Sequence, residues 1–126
     1  LFLHRHPYLK TDGIVLAKTS GKMTWDAVKR LSEEVFAAGR KHGAHSFLVD
    51  HRDSELELSI FEIDDLPVMF KDTGVGVEDK ITVLFNPSSP KSGLFLFFQN
   101  VSFLGSLQFK MFPDKDKAVA WLKSGK

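Results

Sequence analysis

The last third of the chain constrains the fold most. A phenylalanine-rich segment of helical period runs from Gly93 to Leu104, followed by a short strand pattern from Leu107 to Phe112. Pro113-Asp114 then introduces a second helical pattern that ends Ala118-Val119-Ala120-Trp121-Leu122. Helices and strands alternating over connections this short imply a mainly parallel sheet covered by helices.

The upstream sequence extends that alternation. Leu1 to Leu9 reads as an edge strand, since Pro7 cannot donate to a ladder. Thr11-Asp12-Gly13 is a turn signal, and Ile14 to Thr19 forms the second arm of a hairpin. Thr24 caps a helix in which Trp25, Val28, Leu31, Val35 and Ala38 share one face, and Gly43 ends it. Ser46 to Asp50 is a short apolar strand with Asp50 at its carboxyl end. Glu55 to Ile60 alternates with a strand period. A helix from about Asp64 to Thr73 keeps Pro67 in its first turn, where the missing N–H costs nothing. Lys80 to Phe85 is a buried strand, and the helix, strand and helix of the last third follow. The expected architecture is α/β: one domain over residues 1–126, with a five-stranded mixed, mainly parallel sheet and about four helices. Phe47, Val49, Ile81, Val83, Phe98, Val101 and Trp121 are the expected core.

Composition excludes several classes of function. The 126 residues carry a formal net charge of +1, so no strong field draws nucleic acid. No cysteine is present, which excludes disulfides, thiolate catalysis and cysteine-based metal sites. No apolar run reaches the roughly 18 residues of a membrane span. A cytoplasmic location, at most peripheral to a membrane, is the expectation. The first residue is Leu1, not Met, so the true N-terminus is expected to lie upstream.

Several segments together resemble the SpoIIAA-like family, relatives of the STAS domain. Gly21-Lys22-Met23-Thr24 is similar to that family's small-residue turn into its first helix, although Ala27 stands where the family places an acid, with Asp26 just before. Phe47-Leu48-Val49-Asp50 resembles the third strand, Phe97-Phe98-Gln99-Asn100-Val101 the third helix, and Phe112 through Leu122 the ending. The resemblance implies a STAS-like fold without enzymatic activity or a cofactor. The family in turn resembles the CRAL-TRIO lipid-transfer domains, which implies an apolar ligand or a membrane contact. STAS regulators also carry a phosphorylatable serine at the start of the second helix. Here that region offers Ser54 and Ser59, neither in the regulators' Asp-Ser-Ser-Gly context. Ser59 is the better phosphosite, because it can form a capping box with Glu62 at a positive helix end. Its ordinary role would be a cap or turn, and that of Ser54 a solvated loop.

Other chemistry is thinner. His4 and His6 would share a strand face, but no third ligand is evident and no metal site is expected. His42 and His45 flank a helix end, and His51 with Asp53 could form an acid–base pair without a recognisable nucleophile. Ser20-Gly21-Lys22 lacks the spacing of a phosphate-binding loop. Ser89, Lys91 and Ser92 lead into a helix start where an anion or lipid headgroup could sit, against the plainer reading of a loop and cap.

The sharpest anomaly is the third helix. Leu94, Phe97, Phe98, Val101 and Leu104 form one stripe, while Phe95, Leu96 and Phe103 lie off it. Neighbouring loops, a homodimer, a lipid or a membrane would each cover them. With Phe61, and with Leu66, Met69 and Phe70 of the second helix, they outline an apolar ligand site. The leading expectation is therefore a non-enzymatic binding module for an apolar, lipid-like ligand or membrane surface. The alternative is a protein-partner regulatory module of the anti-sigma-factor-antagonist type, switched by phosphorylation.

Overall fold

Four parallel strands form the centre of the molecule, in the order β3-β4-β5-β6: β3 (Ile14–Met23), β4 (Ser46–Leu56), β5 (Lys80–Leu84) and β6 (Gln108–Phe112). The computed structural model describes residues 2–4, 8–9, 12–88 and 107–124. Two short segments, β1 (Phe2–His4) and β2 (Tyr8–Leu9), pair antiparallel with the outer side of β3. The mixed, mainly parallel sheet is as expected, with the first of its five positions shared by two pieces. Three helices are described: α1 (Trp25–His42), α2 (Ile60–Thr73) and α3 (Lys115–Leu122). The expected helix from Gly93 to Leu104, with Phe98 and Val101, lies outside the described residues.

Helices cover both faces of the sheet, and two cores result. The larger lies under α1 and α2, where Val28, Leu31, Val35, Ile63, Leu66 and Phe70 meet Val15, Phe47, Val49, Ile81 and Val83. The smaller lies under α3, where Ala118 and Leu122 meet Ile14, Leu48 and Leu84. Trp121 was expected in the core but is only half-buried. Its ring borders the smaller cluster and lies against the Lys80 ammonium, 4.7 Å from its centroid. The buried Lys80 Nζ donates to the Trp121 carbonyl (3.0 Å) and to Ser124 Oγ (2.9 Å), placing a cation at the C-terminal end of α3.

Helix ends follow the residues that can close them. The Thr24 hydroxyl accepts from the Ala27 amide, and Gly43 ends α1 in left-handed geometry at φ 64°. The second helix departs from expectation, beginning at Ile60 and not near Asp64, with Pro67 inside it. The Ser59–Glu62 capping box starts it there and lets Ile63 reach the core. That start leaves the Ile63 carbonyl without the amide that Pro67 lacks.

The strands also run longer than expected. β3 continues through Gly21 (φ 89°) to Met23, so Ser20-Gly21-Lys22 is strand and not turn. β4 continues from Asp50 to Leu56, which places Asp50 in mid-strand and Ser54 on a strand and not in a solvated loop.

Candidate functional site

The prolonged β4 carries a bulge. Lys18 pairs with Asp50, but Ser20 pairs with Asp53, so one residue of β3, Thr19, opposes two of β4, His51 and Arg52. The extra residue changes the phase of the strand. Phe47, Val49 and His51 point to the helix-covered core, and beyond the bulge it is Leu56 that is buried there, level with Met23.

Polar groups at the bulge are paired. Thr19 Oγ1 bonds the Asp50 carbonyl (3.3 Å), lies 2.7 Å from His51 Nδ1 and contacts Ser54 Oγ. One proton assignment satisfies all three: Thr19 donates to the carbonyl, while His51 Nδ1–H and Ser54 O–H donate to the Thr19 oxygen. Burial pushes the His51 imidazole down to about 4, and the charge of Asp50 opposes this only in part. On the other face Asp50 receives Arg52 in a two-pronged pair, at 3.0 Å from Nε and 2.8 Å from Nη2. Burial is the largest single influence on Asp50 and works upward. The bonds from Arg52, with the charges of Arg52 and Lys18, outweigh it and hold the carboxyl below its ordinary range. The exposed Asp53 pairs with Lys18 at 3.6 Å, whereas the buried His51 turns its Nδ1 to Thr19. His51 is a neutral member of a hydroxyl network.

Past the bulge the chain turns into α2. Ser59 Oγ accepts from the Glu62 amide at 3.1 Å, and the Ser59 amide donates to Glu62 Oε1 at 2.9 Å. Ser59 is exposed. Beside it Phe61 is 83% exposed and Ile60 57%, and two turns on Val68 is 61% exposed, with Asp64 and Asp65 between them. This outer face of α2 is apolar at its start and rimmed by acids.

Four residues of the expected apolar ligand site are among the described ones. Leu66, Met69 and Phe70 are buried in the larger core, while Phe61 faces away from it. Phe95, Leu96 and Phe103, and the anion-site candidates Ser89, Lys91 and Ser92, lie outside the described residues. A cavity of about 70 Å³ does lie between α1, α2 and the sheet, walled by Leu31, Leu58, Leu66 and Phe70 among others. It is smaller than the roughly 150 Å³ that admits benzene, and far below what a lipid chain needs.

Among the described residues no group of three or more acids and histidines could hold a metal ion. His45 shows why spacing misleads: Asp79 Oδ1 meets Nδ1 at 2.8 Å and Glu78 Oε2 meets Nε2 at 3.4 Å, on opposite sides of the ring. The Asp79 hydrogen bond is the main cause that raises the His45 pKa. No described helix is long and apolar enough to cross a membrane.

The sequence signal for the bulge was a change of parity. The positions that face the larger core are odd up to His51 and even at Leu56, and a strand can make that change only by taking in one extra residue.

Comparison with family models finds no match. No curated protein matches either. Among solved structures, the chain is similar to an anti-sigma factor antagonist from Mycobacterium paratuberculosis, with a TM-score of 0.69 and 15% identity. The match covers 98% of this chain and 96% of that one. What the two share is the fold, a STAS-type α/β sheet over nearly the full length of both.

Proposed function

We propose that this chain is a protein-partner regulatory module of the anti-sigma-factor-antagonist type, and that the partner docks on the outer face of α2. One observation carries the reading: a phenylalanine 83% exposed in the first turn of a helix, beside an exposed capping serine. A large apolar side chain left in water is unfavourable for an isolated chain, and buried aromatic anchors dominate protein interfaces. Ile60 and Val68 enlarge the patch, and Asp64 and Asp65 suit a partner with basic residues around an apolar pocket. The fold likeness supports the same reading.

Ser59 is the modification site in this reading. A phosphate on its Oγ would sit at the amino end of α2, where free amides favour an anion, and would repel Glu62 from the cap. Ser54 is a poorer substrate because its hydroxyl is engaged by Thr19 on a strand. No catalytic role and no cofactor are part of the proposal.

The test is site-specific photo-crosslinking in the chain's own cell, with benzoylphenylalanine at position 61 and, as control, at the exposed Glu33 of α1. A discrete adduct with a second protein from position 61 alone is expected. Adducts equal at both positions, adducts only with lipid, or only with another copy of this chain, would overturn the proposal.

A further inference from the structure

A second concavity lies at the opposite end of α2 from the proposed docking face. It is a groove of about 430 Å³, within the size range of small-molecule sites. The C-terminal turn of α1 and the connection between α2 and β5 form its walls, and the rings of Phe36 and Phe47 lie at its base, edge to face at 5.4 Å. Five charged or ionisable groups bear on it or its rim: Arg40, His45, Glu78 and Asp79 in the lining, and Lys41 beside Arg40 on the exposed side of α1.

The question is which of these charges is left to meet a ligand. Asp79 is fully used, its Oδ1 by His45 and its Oδ2 by the Gly76 amide at 2.7 Å. His45 is flanked on both ring nitrogens, and Glu78 faces one of them. Arg40 differs: among the described residues no carboxylate pairs with its guanidinium. That group lies against Gly74, where φ is +124° and an added Cβ would collide with Arg40 Nη1. Gly74 thus does two things: it closes α2, and it leaves the space in which the guanidinium rests. The carbonyls that would otherwise compete for Arg40 are partly used. Gly74 and Val75 return amides to Phe70, and Gly43 and Ala44 return theirs to Arg40 and Gly39.

We infer that this groove binds a small organic carboxylate, its anionic group paired with Arg40 and its apolar body laid toward Phe36, Phe47 and the exposed Val77. A guanidinium fork matches a carboxylate in two parallel bonds, which a point charge cannot do. The site is separate from the proposed docking face, and either can fail without the other.

The probes are benzoate and, at equal ionic strength, benzylamine. Each is titrated into ¹⁵N-labelled protein while amide shifts are followed. Benzoate is expected to move the amides of residues 39–45 and 74–79 saturably. Benzylamine should leave them unmoved. Arg40→Gln should weaken benzoate binding about tenfold or more, as loss of a charged hydrogen-bond pair does. Glu78→Gln should strengthen it about two- to threefold by removing an exposed like charge. No saturable shift with benzoate, equal shifts with benzylamine, or unchanged affinity in a folded Arg40→Gln protein would each overturn the assignment. So would weaker benzoate binding in Glu78→Gln.

Discussion

Acidification should destabilise this protein through His51. Its imidazole is buried and neutral, with a pKa of about 4 in the folded chain against 6.5 unexposed to the fold. Its folded value lies below its unfolded one, so the unfolded chain binds more protons between those values and stability falls as pH falls. The contribution is fully present above about pH 6.5 and is lost progressively toward about pH 4. Linkage gives a loss of about 2–3 kcal/mol between about pH 7.5 and about pH 4.5. His45 works in the opposite sense, since its raised value stabilises the fold at low pH. Asp50 titrates below this window, its value being lowered from 3.8. The perturbation that isolates His51 is therefore His51→Asn, which cannot charge. Urea unfolding of parent and variant, followed by circular dichroism across this pH range, measures the difference in slope. The parent should lose about 2–3 kcal/mol more than the variant. Parallel pH profiles would show that His51 is not buried as a neutral ring, and the network with Thr19 and Ser54 would have to be redrawn.

Ser59→Ala should cost about 1 kcal/mol by opening the capping box of α2, read as a lower urea midpoint with unchanged slope. Lys80→Met should cost about 1–2 kcal/mol, because the charge-assisted bonds to Trp121 and Ser124 go, and it should alter tryptophan emission. Trp121→Ala should cost about 2 kcal/mol, less than the ~3–5 of a fully buried ring, since Trp121 is half-buried. A loss of 4 kcal/mol or more on urea unfolding would place that ring in the core after all.

Where one helix face or one strand period dominates, the sequence reads through to the structure. The α1 stripe is one case: its cap at Thr24 and stop at Gly43 are local chemistry, independent of anything distant. The misreadings come from places where two local rules compete. Pro67 argues for a late start to α2, but a capping box and a buried Ile63 outweigh one lost backbone bond. Asp50 looked like a strand end because a charged residue at a buried position is costly unless paired. Its partner Arg52 stood two residues on and passed for loop. The exposed α2 face was illegible for another reason. Ile60, Phe61 and Val68 are as apolar as Leu66 and Met69, and only the packing tells which of them meet water.

The two cores are unequal, and that inequality has a consequence for how the molecule opens. Among the described residues the cluster under α3 joins five buried residues, against twenty under α1 and α2. A helix of eight residues whose described contacts form so small a cluster can lift away while the rest stays folded. Lys80 then loses the contacts that compensate for its burial, so water would enter along β5 first. The C-terminal helix is thus the natural first step of partial unfolding, and amide exchange should reach Ala118 and Leu122 long before Val35 or Ile63.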